Sequence, residues 1–248
     1  MKNNFLGLPE GGSCDFLLFP GCKLCEYEPS IVVKLYDSIR FQKPDTGILI
    51  RCCKDEEMDL SDIWLSAGKP AIITTCPGCL KNLRDTYPEI TFVSVYEVLT
   101  ELGIGGGCNS VGYNIYNPAA EYYDEKSAEA VKSLALDMGV KLQAETAAGA
   151  PLPDNGFPFI TQSILSRNEL IEKGLNAAHI LELIYGMGEL NSHLVHEHHD
   201  HEEHESEEPE CPPPAPVGVA FPDSAALDAS RRELIDILQE LYGFENAL

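Results

Sequence analysis

Five of the nine cysteines in this 248-residue chain stand at spacings that chemistry can use. Cys22 closes the segment FLLFPGC, Cys52 and Cys53 close GILIRCC, and Cys76 and Cys79 form AIITTCPGC. Thiolates are soft ligands that suit iron–sulfur clusters and zinc. A lone C-x-x-C is weak evidence, since it serves equally as a redox dithiol or half of a zinc site. A lone Cys-Cys pair is more often packing than chemistry. The combined set is much rarer, and its five sulfurs exceed the four that tetrahedral zinc takes. An iron–sulfur cluster is therefore the first expectation, with structural zinc as its competitor. Cys25, three residues after Cys22, is either an extra ligand or a buried bystander. Cys108 and Cys211 stand apart.

The elements that must position these thiols alternate between strand and helix. Phe16–Phe19 is an apolar run stopped by Pro20-Gly21, a turn signal. Ile31, Val32, Leu35 and Ile39 share one helical face over 29–39. Residues 47–50 and 71–75 are buried strands, 60–67 and 79–87 helices, 91–95 a fourth strand and 95–102 a helix. A similar order returns as a strand at 111–116, a helix at 121–138, a polar strand at 140–145, a strand at 157–161, and helices from 166 and over 178–187. This alternation predicts parallel sheets with crossovers. The expected fold is α/β, with two pseudo-repeated half-domains, each a short, mainly parallel sheet flanked by helices. The halves span 15–103 and 111–188, and residues 1–14 read as a loose leader. In such sheets ligands bind at the carboxyl ends of the strands. Each cysteine site follows a strand, so all five thiols are expected along one edge. The helix after Cys76 offers backbone N–H groups and a positive dipole end that stabilise thiolates.

These segments, FPGC, RCC and TTCPGC in that order, resemble the cysteine-rich CCG domain found in one component of heterodisulfide reductase and in related iron–sulfur oxidoreductases. TCPGCLKNL, the following VSVYEVL, and AAHILELIYG late in the second half carry the likeness, which covers residues 15–188. The resemblance implies Cys22, Cys52, Cys53, Cys76 and Cys79 as ligands of a [4Fe-4S]-type cluster, cubane or noncubane, with zinc known in some relatives. It also implies a flavoprotein or ferredoxin-like redox partner. One departure is Lys54, where the family has a glycine after the paired cysteines. Lysine lacks glycine's conformational freedom, but its charge would stabilise an anionic cluster. The gap from Cys53 to Cys76 is also shorter than the family's.

The second half keeps the family's frame without its thiols. Ala119, Ala147, Ala148, Ser163 and Ser166 occupy the five places where the family has cysteine. One cluster, in the first half, is thus expected. Disulfide cleavage between paired clusters is not; electron transfer within an oxidoreductase complex fits better. A single-cluster disulfide or thiol reductase and a zinc-stabilised, non-enzymatic scaffold remain as alternatives. Gly103–Gly107 is the nearest approach to a dinucleotide-binding glycine motif, and it lacks the required preceding strand.

The net charge of −23 makes nucleic acid and acidic membrane surfaces poor partners. No stretch is apolar enough for a membrane span, and no signal peptide is expected. With nine cysteines and no export signal, a reducing cytoplasm and metal or redox chemistry are expected rather than a disulfide framework. Residues 189–222 form an acidic, His- and Pro-rich linker. Its His196, His198, His199, His201 and His204, with His193, could form a weak metal site, but a solvated linker is the plainer reading. Residues 223–248 hold a helix with an apolar stripe of Leu234, Ile235, Leu238, Leu241 and Tyr242, suited either to docking on a partner or to folding back on its own body.

Overall fold

A computed structural model describes residues 4–55, 58–105, 112–186 and 224–246. The first sheet contains β1 (Phe5–Gly7), β2 (Phe16–Phe19), β3 (Thr46–Ile50), β4 (Ala71–Thr74) and β5 (Phe92–Ser94) in the order β1-β3-β2-β4-β5. The second contains β6 (Gly112–Asn117), β7 (Lys141–Ala147), β8 (Phe159–Thr161) and β9 (Ala177–His179) in the order β7-β6-β8-β9. Apart from β1, which runs antiparallel to β3, every pairing is parallel. The order of β3-β2-β4-β5 is that of β7-β6-β8-β9, so the molecule is an α/β fold of two pseudo-repeated halves.

The helices of the first half are α1 (Cys22–Tyr27), α2 (Pro29–Gln42), α3 (Leu60–Ser66), α4 (Pro77–Thr86) and α5 (Val95–Glu101). Those of the second are α6 (Glu125–Asp137), α7 (Ile164–Glu172) and α8 (Ile180–Tyr185). Their starts are written locally. Asp59 and Asp124 accept from backbone N–H groups at the starts of α3 and α6, and Ser94 with Glu97 forms a capping box on α5. Pro29 and Pro77 occupy first-turn positions, where a missing N–H costs nothing. One hydrophobic core runs through both halves, joining Ile31, Leu35 and Leu99 of the first to Val131, Leu134 and Leu181 of the second. A separate cluster fills the other face of the first sheet, where Leu17, Leu49 and Ile72 meet Leu60 and Leu83. The matching face of the second sheet has only a small cluster around Tyr116, Phe159 and Leu170 among the described residues.

Several sequence expectations need correction. Phe5–Gly7 is not leader but a fully buried edge strand, paired with β3 upstream of the expected boundary. Residues 177–179 are strand β9 rather than the start of a helix. They pair with β8, and the alternation that identifies a strand is invisible over three residues. The short helix α1 occupies Cys22–Tyr27, a segment with no periodic signal of its own. The terminal helix α9 (Ser224–Tyr242) folds back on α1 and α2. Leu234 and Leu238 are fully buried, Arg231 pairs with Glu26 at 2.7 Å, and Tyr242 meets Tyr36 edge-on. Most of its apolar stripe is therefore used on its own body, while Leu241 stays 52% exposed. The linker and its histidines, with Cys108 and Cys211, lie outside the described residues. No helix among the described residues is long and apolar enough to cross a membrane.

Candidate metal centre

The thiol sites sit where three neighbouring parallel strands end. Cys22 opens α1 just beyond β2, Cys52 and Cys53 follow β3, and Cys76 caps α4 just beyond β4. Gly21 makes the first approach. Its φ of 74° lies in the left-handed region, and a Cβ there would come within 3.5 Å of both the Cys76 Cβ and the Cys79 Sγ. The loop after β3 is a tight turn in which the Asp55 N–H donates to the Cys52 carbonyl at 3.0 Å. Lys54 occupies this turn without needing glycine's backbone. Lys69 is the one non-glycine with positive φ among the described residues.

The sulfurs fall into a pair and a trio. Cys22 and Cys52 hydrogen-bond each other, and burial, then the neighbouring Cys52 thiol, push Cys22 up to about 12. In the trio the Cys79 Sγ lies 3.2 Å from the Cys53 Sγ. A hydrogen bond from Cys79 is the largest influence holding both Cys53 and Cys76 below the ordinary thiol range. Cys79, as the shared donor, is held well above it. One S–H serves one acceptor at a time, and the short contact assigns it to Cys53. Cys76 has separate support from the backbone N–H groups of Gly78 and Cys79 at the start of α4. Asn82, one turn further along α4, also hydrogen-bonds Cys53. The Lys54 charge favours the thiolates of Cys53 and Cys76.

All five are free cysteines, as are Cys14 and Cys25. Cys25 is 1% exposed and packed in the core, and burial pushes its thiol far above the ordinary range. That burial disfavours the ionised form a ligand needs. Among the described residues no three His, Cys, Asp or Glu side chains are drawn into metal-ligating geometry; the thiols bond to one another instead. The donor set nonetheless fits a thiolate-bound group. It offers soft ligands on three adjacent strand ends, two of them biased toward thiolate, with backbone donors and a lysine to offset negative charge.

The corresponding strand ends of the second half carry Ala119 beyond β6, Ala147 and Ala148 at the end of β7, and Ser163 and Ser166 at the start of α7. Ser163 is a helix cap, accepting from the Ser166 N–H. What the sequence reading missed is the polar junction between the halves. The Tyr96 hydroxyl bridges the carbonyls of Thr75 (2.9 Å) and Gln162 (3.1 Å), one residue beyond β4 and β8 respectively. His179 lies against it, with Nε2 at 3.4 Å and Nδ1 accepting from the Leu181 N–H. Burial pushes the imidazole down to about 3, so it is neutral. Arg167 and Glu182, both almost fully buried, pair at 2.9 Å, and the guanidinium lies 4.6 Å from the centre of the Tyr27 ring. The only advance signal was a His inside the apolar run AAHIL; Arg167 stands among polar neighbours in SILSRNEL.

No protein-family model, curated protein or solved structure matches this chain.

Proposed function

We propose that this chain is an iron–sulfur protein resembling the CCG-domain component of heterodisulfide reductase, holding one [4Fe-4S]-type cluster in its first half and transferring electrons within an oxidoreductase complex. The observation that carries this reading is the convergence of five thiols on the ends of three adjacent parallel strands, Cys53 and Cys79 already touching. Cys22, Cys52, Cys53, Cys76 and Cys79 would hold the group. A bound cluster supplies a one-electron redox centre. The protein supplies the backbone N–H groups of Gly78 and Cys79, the Lys54 charge and a half-buried setting, which tune such a centre. The resemblance adds a flavoprotein or ferredoxin-like partner, and the cysteine usage points to a reducing, cytoplasmic setting. A disulfide reductase acting at one cluster would need an open site beside Cys52 and Cys53, whereas the small crevice between the halves is lined by Cys76.

The test is the iron, sulfide and zinc content, with an EPR spectrum, of the full chain after anaerobic reconstitution. About four irons with matching sulfide are expected for such a cluster; an iron-free chain would falsify the reading. One observation favours structural zinc as the second reading. Cys79 hydrogen-bonds both Cys53 and Cys76, and these three thiols would supply three of the four ligands zinc takes. One zinc per chain and no visible absorption would establish it.

A further inference from the structure

Two peptide planes lead into the thiol turns, and both are held through one residue. Thr75, the last residue before Cys76, is 3% exposed. Its hydroxyl donates to the Pro20 carbonyl, 55 residues away in sequence. That bond fixes the peptide between Pro20 and Gly21. Gly21 needs such a hold: its φ of 74° is one of many that glycine can take, and it has no side chain to select among them. Cys22 follows directly and opens α1, so the orientation of the Gly21 peptide aims the first thiol.

The Thr75 carbonyl is held in turn, which fixes the peptide that enters Cys76. It accepts from the Tyr96 hydroxyl at 2.9 Å. Tyr96 is itself seated against the second half. His179 Nδ1 accepts from the Leu181 N–H, so the neutral imidazole carries its proton on Nε2. That N–H has the Gln162 carbonyl and the Tyr96 oxygen, at 3.4 Å, as its acceptors. Gln162 is held at its other end, where its side-chain amide meets the Ser127 hydroxyl at 2.8 Å and Ser127 meets Ser94 at 2.9 Å. Tyr96, Gln162, His179, Ser127 and Ser94 are each no more than 3% exposed. A buried network whose members pair with one another fixes orientation as well as distance.

We infer that Thr75 and Tyr96 are positioning residues of the thiol site: the Thr75 hydroxyl sets Cys22 against the Cys76–Cys79 turn, and Tyr96 anchors that turn to the second half. The half without thiols thereby braces the ligands of the other. The inference rests on the reading of the five cysteines as one ligand set, and it names the residues that keep Cys22 in place beside the trio. Without the Thr75 hydroxyl the Gly21 peptide is free to turn. Cys22 is the thiol whose place then loosens, while Cys76 and Cys79 stay fixed by α4.

The experiment titrates the full chain, reduced and metal-free under anaerobic conditions, with cobalt(II), an ion that enters thiolate sites and reports bound sulfur by charge-transfer absorption. Thr75→Ala and Thr75→Ser form the test pair, since they differ by the hydroxyl alone. Thr75→Ala should weaken cobalt binding by roughly ten- to a hundredfold, the usual effect of removing a partner that orients a ligand. Thr75→Ser should bind as the wild type does. Cys22→Ala completes a double-variant cycle: because the hydroxyl acts through Cys22, adding Thr75→Ala to Cys22→Ala should cost little more. Tyr96→Phe keeps the ring, loses the anchor and should weaken binding in the same direction. It also takes the place of Thr75→Ala in the cycle should that variant not fold, as judged by circular dichroism. Equal affinities in Thr75→Ala and Thr75→Ser, or a full further loss in the double variant, overturn the inference. Wild-type affinity in Tyr96→Phe overturns the role given to the second half. A wild-type chain that takes up no cobalt overturns the ligand reading itself, whereas wild-type uptake that ignores the hydroxyl leaves that reading standing and removes only this one.

Discussion

The two halves share a strand order and a helix frame, yet they use their strand ends differently. In the first, β2, β3 and β4 lead into Cys22, Cys52, Cys53, Cys76 and Cys79. In the second, β6, β7 and β8 lead into alanines and serines. The second sheet keeps its parallel pairing and its share of the common core without a single thiol at those ends. The thiols are therefore not what holds this architecture together; apolar packing and the helix caps do that. What the first half has in addition is an edge that carries thiols. The second half contributes a neutral, hydrogen-bonding wall to the crevice that faces that edge.

The sharpest way to break this comparison is to exchange the two kinds of strand end. Cys76→Ala removes the thiol best placed to ionise, at the N-cap of α4. After anaerobic reconstitution the metal content is expected to fall from about one cluster or ion per chain to near zero, because a missing soft ligand leaves the set open. Ser166→Ala, at a corresponding strand end of the second half, should leave metal content unchanged. Metal analysis of both proteins side by side decides the matter, and equal loss in both would erase the distinction between the halves.

A smaller effect tests what stabilises the half without thiols. Arg167 and Glu182 form its buried ion pair, and Tyr27 of α1 covers the guanidinium. Arg167→Met would strand the Glu182 carboxylate in the interior. Burial already raises its pKa, and the nearby arginine opposes that rise. Losing one partner of a buried pair costs about 3–5 kcal/mol. Urea unfolding should show this as a lower midpoint in one transition, since the core is continuous across both halves. Two separate transitions would show the halves to be energetically independent.

Smaller again is the pH response of the junction. His179 is held neutral in the fold, its pKa pushed down to about 3 by burial. The unfolded chain takes up the proton below about pH 6.5. The folded state is therefore at full stability above that pH and loses it as pH falls, by about 1.4 kcal/mol per unit. Between about pH 6.5 and pH 5 the loss should reach about 2 kcal/mol. His179→Gln should remove this slope, and the wild-type minus variant difference cancels the titration of the arm histidines. A difference that stays flat with pH would mean the imidazole reaches water.

Much of this was legible in the residues, for identifiable reasons. Apolar runs such as Gly47–Ile50 and Ala71–Thr74 belong to strands covered on both faces and announce themselves. The cysteine segments ended those runs, so their common edge followed from the parallel order. Phe5–Gly7 and Ala177–His179 were not legible, because three residues carry no period and only their partners make them strands. The seat of α9 was undecided in sequence, since an apolar stripe does not name its partner. Contacts such as Tyr96 to Gln162 join residues 66 apart, and nothing local encodes them.

The smallest effect, at Gln143, comes from comparing the halves strand by strand. β3 and β7 hold corresponding places next to the central strands β2 and β6. Every residue of β3 is buried, because α3, in the crossover from β3 to β4, helps cover its outer face. The connection from β7 to β8 contains no helix, and β7 alternates exposed and half-buried residues. This is why the sequence of β7 is polar while that of β3 is not. Leu49→Ala on β3 should cost about 2–5 kcal/mol through the cavity it leaves. Gln143→Ala on β7 should change stability by no more than about 0.5 kcal/mol, because an exposed side chain on an uncovered face loses little that water does not replace. Paired urea midpoints measure both. A large loss at Gln143 would mean that something covers β7 after all, and the place to look would be the surface that the missing crossover helix leaves open.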